Sequence, residues 1–70
     1  MSFFVLDWDE IEQMIEAMLK ERMRTWGTFD YFVIDDQTVL VKVYAEDDNR
    51  LMFTIKAKWT DAGLIPIEVS

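Results

Sequence analysis

The chain contains no cysteine and no histidine, only two glycines and one proline. Without cysteine no disulfide can form, and with both residue types missing the usual zinc ligands are missing as well. The same absence removes Ser–His and Cys–His pairs, so nucleophilic catalysis of that kind is excluded. Gly27 and Gly63 stand alone, and isolated glycines cannot build a phosphate-cradling loop. Long apolar runs are also lacking: nothing approaches the ~20 residues that span a bilayer. The apolar opening, Met1 to Leu6, has no basic flank and runs straight into Asp7 and Asp9, unlike a secretory leader. The expected location is therefore the cytoplasm, without membrane attachment.

Basic residues are scarce too. Seven Lys and Arg face fourteen Asp and Glu, giving a net charge of −7 and a pI near 4.2. A negative surface is repelled by nucleic acid and by anionic membranes, so no direct nucleic-acid partner is expected. Attraction to a basic protein is permitted.

What remains is apolar and aromatic. Hydrophobic residues make up 51% of the 70 positions and aromatics 14%, which excludes the polar signature of a disordered chain. This length allows one domain, spanning 1–70, that buries only about 60% of its unfolded surface. Domains this small often add a disulfide, a metal or a partner chain. With the first two excluded, a homo-oligomer or an obligate complex is the staple left.

A helix is expected over about 8–25. Trp8, Ile11, Met14, Ile15, Met18, Leu19 and Met23 recur at spacings of three and four and form one apolar stripe. Asp9, Glu10, Glu12, Gln13, Glu16, Lys20 and Glu21 occupy the opposite face. Asp7 suits the N-cap with Glu10 three residues on, and acids lead while Lys20, Arg22 and Arg24 trail, which suits the helix dipole. Gly27 stands where a left-handed residue would close the helix. Met14, Met18 and Met23 resemble an adaptable binding stripe, but at this spacing they are better read as core filler.

The remainder reads as sheet, with strands at about 29–34, 38–46, 50–59 and 64–69. Asp35-Asp36-Gln37 and Asp47-Asp48-Asn49 are turn candidates, with Asn49 suited to a left-handed backbone. Pro66 cannot donate to a ladder, so the last strand belongs at an edge. Residues 2–6 suit either an extra strand or an apolar lead-in. The predicted fold is α+β: one amphipathic helix on one face of a three- to five-stranded antiparallel sheet.

Period-two alternation then divides the sheet. A three-residue loop at 47–49 sets Ala45 opposite Leu51, Val43 opposite Phe53 and Val41 opposite Ile55. Val39, Val41, Val43, Leu51, Phe53, Ile55, Ala57 and Trp59 would share the face that meets the helix. The reverse face would carry Leu40, Tyr44 and Met52 with either Phe32/Ile34 or Tyr31/Val33, among Lys42, Arg50, Lys56 and Lys58. One helix covers one side of a sheet, so these apolar side chains are left to form a contact surface.

The remaining chemistries compete poorly. Asp35/Asp36 and Asp47/Asp48 fall in turns, where Asp bonds backbone, and Glu12/Glu16 lie on a solvated helix face. Glu46-Asp47-Asp48-Asn49 is rich in oxygen but lacks the spacing of a calcium loop. Lys42, Arg50, Lys56 and Lys58 beside Tyr44 suggest a single-strand-binding sheet, yet the aromatic motif is missing and the total charge opposes it. No catalytic residue, cofactor or metal is expected.

The expectation is a non-enzymatic acidic binding protein, an inhibitor that occupies a basic or nucleic-acid-handling protein. Leu40, Tyr44, Met52 and Phe32 would anchor the contact, and Asp9, Glu12 and Glu16 would steer it or imitate phosphate spacing. In composition, though not in any motif, the chain resembles viral inhibitors encoded by phages. The alternative is a structural or adaptor subunit that forms a homodimer through the open sheet face.

Overall fold

The computed structural model describes residues 2–70. A 3-10 turn at Phe3–Val5 leads into helix α1 (Trp8–Arg22). Four strands follow: β1 (Thr28–Asp35), β2 (Thr38–Tyr44), β3 (Leu51–Thr60) and β4 (Gly63–Val69). They form an antiparallel meander in the order β1-β2-β3-β4, which is α+β as the patterning predicts. Consecutive strands pair because each connection is a tight turn, the short route open to antiparallel neighbours.

Asp7 caps α1 by accepting a hydrogen bond from the Glu10 amide at 3.0 Å. Ile11, Ile15, Met18 and Leu19 are buried along one stripe, with Met14 and Met23 packed beside them. Trp8 departs from the expectation. It belongs to the stripe by spacing but is 72% exposed, because it sits on the first turn and overhangs the sheet, tilted against Tyr31 with ring centroids 5.8 Å apart.

The helix also stops earlier than its stripe suggests. Met23 is already extended at φ −140° and ψ 146°, and the Arg22 guanidinium folds back to donate to the Met18 carbonyl at 3.3 Å. Leaving the helix there lets Met23 and Trp26 both turn onto the core. Gly27 therefore closes nothing; its amide donates to the Tyr44 carbonyl at 2.9 Å as the chain enters β1. It is a glycine because a Cβ would lie 2.6 Å from the Ala45 carbonyl oxygen.

The core joins Phe3, Ile11, Ile15, Met18 and Leu19 to Val39, Val41, Val43, Ile55, Ala57 and Leu64. Fully burying an aliphatic side chain of this size contributes roughly 1.5–3 kcal/mol. Met14, Ala17 and Met18 lie beside Gly63 and Leu64, which places α1 across the sheet toward β4. Residues 2–6 add no strand. Phe3 plugs the core at 2% exposure, 5.3 Å from the Trp59 ring centroid.

Val41 pairs with Ile55 and Val43 with Phe53 as predicted, but Tyr44 then pairs with Leu51. Met52 is the extra residue of a bulge. Ala45 accordingly faces Arg50, whose carbonyl accepts its amide at 2.8 Å, and Leu51 leaves the core face for 47% exposure. Asn49 takes the left-handed backbone at φ 57°. β4 is an edge, Pro66 lies opposite Ala57, and the register shifts again between Lys56 and Ala57.

Candidate protein-binding surface

The helix and the N-terminal turn both lie on the valine face of the sheet. Register defines what stands on the reverse. Phe32, Leu40, Lys56 and Glu68 are successive cross-strand neighbours, as are Asp30, Lys42 and Thr54. Tyr44 lies between Thr28 and Leu51, and Lys58 between Thr38 and Ile65. Of the two pairs that the first strand offers, Phe32/Ile34 is the one on this face. Phe32 is 54% exposed and Ile34 51%. Leu40, Tyr44 and Ile65 are half-buried by their neighbours alone.

None of the described residues folds back over this surface. Ser70 continues β4, its amide and carbonyl both bonded to Thr54 at 2.9 and 2.8 Å. A shallow depression of about 180 Å³ runs between Leu40, Thr54, Lys56 and Glu68. The Lys42 ammonium leans over the Phe32 ring, 5.6 Å from its centroid, a cation–π contact worth roughly 0.5–1 kcal/mol at an exposed site.

Phe32, Leu40 and Tyr44 are thus brought together. Met52 stands apart at the bulge, where it lines a depression of about 370 Å³ with Trp26 and Ala45. Asp9, Glu12 and Glu16 lie on α1, across the sheet from the other three. The residues expected to act as one site occupy two surfaces. Leu51 and Ile65 join the open face unforeseen; Arg50-Leu51-Met52-Phe53 is apolar at three consecutive positions, so alternation could not reveal the bulge.

Charge follows the same division. The open face holds Lys42, Lys56 and Lys58 with Asp30 and Glu68. The acidity sits on α1 and in the turns, where carboxylates are engaged locally. Asp35 accepts from the Gln37 amide at 2.9 Å, which, with the Thr38 hydroxyl, holds its pKa below the ordinary carboxylate value. Asp47 and Asp48 likewise accept from the amides of Asp48 and Arg50.

A second apolar cluster lies beside the start of α1. Phe4 and Val5 are 71% and 79% exposed, and Phe4 lies beside Trp8. With Phe3, Ile11 and Val33, Phe4 and Trp8 line a depression of about 440 Å³. Its one carboxylate, Asp7, is taken by the helix cap. Tyr31 lies beneath Trp8, its hydroxyl buried without a hydrogen-bond partner; burial, then Glu12 and Asp9, push its pKa up. Among the described residues no three acidic side chains converge to hold a metal ion, and no helix is long and apolar enough to cross a membrane. Compared with known proteins, the chain matches no family model, no curated protein and no solved structure.

Proposed function

We propose that this chain is a non-enzymatic protein-binding module that docks a partner protein on the open face of its sheet. The observation that carries this reading is the apolar group Phe32, Ile34, Leu40, Tyr44, Leu51 and Ile65 on a face that no element among the described residues covers. Aromatic and aliphatic side chains at the centre of a polar rim are the usual anchors of protein interfaces. The lysines of that rim favour a partner surface with carboxylates around an apolar centre.

A basic partner would meet the other side of the molecule. Asp9, Glu12 and Glu16 on α1 steer such a protein at long range, and inhibition of a nucleic-acid-handling enzyme would use that side. The sheet is preferred as the anchoring surface because α1 buries its own apolar stripe in the core. Its outer face carries charged and polar side chains with Ala17.

The test compares variants for one stoichiometric partner in native extracts. Leu40→Asp should abolish capture, since it sets a charge amid the apolar group. Glu16→Gln should leave capture intact and slow association at low salt. Loss with Glu16→Gln and retention with Leu40→Asp would transfer the site to the helix. Capture of single-stranded nucleic acid in place of a protein would refute the reading.

A further inference from the structure

The exposed apolar side chains are not scattered. Four of the large ones gather around β1: Phe32 and Ile34 on the open face, and Phe4 and Trp8 beside the helix face. β1 is also a free edge of the sheet. An edge strand offers unpaired amides and carbonyls to any other strand, and proteins commonly guard it with proline, lysine or a bulge. The opposite edge, β4, has Pro66 and a register shift. β1 has neither proline nor lysine over its eight residues, and its own register shift, between Val33 and Asp35, is confined to its last residues and leaves 28–33 regular.

We propose that β1 pairs antiparallel with β1 of a second copy about a two-fold axis at Tyr31, joining two four-stranded sheets into one of eight strands. An axis perpendicular to the sheet keeps each residue's face, so opposed residues must share parity. Centring on Tyr31 sets Phe29 against Val33, Asp30 against Phe32 and Thr28 against Ile34 of the second copy, which uses the strand from 28 to 34. Centring between two adjacent residues is excluded by parity. Centring on Asp30 would oppose two carboxylates directly, which is destabilising.

Charge complementarity names the occupant as a second copy. Lys42 lies over Phe32 and reaches toward the free edge, where the Asp30 carboxylate of the other copy arrives beside that ring. The axis repeats the pair, so each Asp30 stands between two lysines. On the helix face, the Tyr31 hydroxyl, buried and without a partner in one copy, meets its symmetry mate, and the two Trp8 rings close over the seam. The dimer stands independently of the open-face docking surface, which it doubles in width while leaving it free.

The net charge of each copy opposes approach at low ionic strength, so the test is run at physiological salt, where the Debye length is about 8 Å. Light scattering of the full chain should give twice the 8.4 kDa chain mass. The chain has no cysteine, so Tyr31→Cys should yield a covalent dimer on mild oxidation while Tyr44→Cys stays single. A charge exchange covers failure of Tyr31→Cys to fold. Asp30→Lys or Lys42→Asp alone should weaken dimerisation on the order of ten-fold, since the axis counts each pair twice, and the two together should restore it. A monomer at millimolar concentration, a dimer indifferent to the charge exchange, or cross-linking through Tyr44→Cys alone would overturn the proposal. The last result would place the second copy on the open face instead. Apart from that last result, which would seat the second copy on the docking face itself, these outcomes leave capture of a foreign partner by Leu40 unaffected, so the two readings fail separately.

Discussion

At Gly27 a hydrogen atom is all the space allows. A methyl group there would press on the backbone of Ala45 and Glu46, neither of which can swing aside. Gly27→Ala should therefore cost about 1–3 kcal/mol, the usual effect of overpacking, measured as a lower urea midpoint at unchanged slope. Asp35 supplies a second test at this scale. Its folded pKa is lowered, chiefly by the Gln37 amide, so its contribution is present above the ordinary carboxylate pKa. That contribution fades as pH falls through the lowered folded value. A carboxyl titration by nuclear magnetic resonance should show Asp35 protonating below the ordinary carboxylate value, and Asp35→Asn should flatten the acid limb of stability. Titration of Asp35 at the ordinary carboxylate value would contradict this account of the turn.

At the scale of elements, α1 separates side chains that share one period. Ile15→Ala or Leu19→Ala should cost roughly 2–5 kcal/mol because both are fully buried. Trp8→Ala should cost only about 1 kcal/mol, the worth of its aromatic pair with Tyr31. Thermal unfolding of the three variants checks the order; an equal loss at Trp8 would place it in the core. The stripe, the Asp7 cap and the four strands were legible because each expresses a local rule: spacing, capping chemistry or alternation. The helix end was not, since Met23 and Trp26 leave it for tertiary packing that no local pattern records. Nor was the role of Gly27, which depends on a strand seventeen residues away. The bulge at Met52 hid behind consecutive apolar residues, and it moved Leu51 from the core to the surface and Met52 away from its expected companions. Leu40 and Tyr44 were legible as companions because they alternate on one strand, whereas the choice of Phe32/Ile34 over Tyr31/Val33 awaited the register of β1 on β2.

For the whole molecule, the consequence is a separation of surfaces. Total charge describes α1 and the turns, while the uncovered sheet face, with three lysines and two acids, is nearly balanced and apolar at its centre. Salt should then act on rate more than on complex lifetime for a basic partner drawn to α1, and weakly on a partner seated on the sheet. The central claim is that the sheet face is the one that docks. A photoreactive phenylalanine analogue placed at Tyr44, compared with one at Gln13 on the outer face of α1, tests it in native extracts. The account predicts a single protein adduct at position 44 and none at position 13; an adduct at position 13 alone would contradict it.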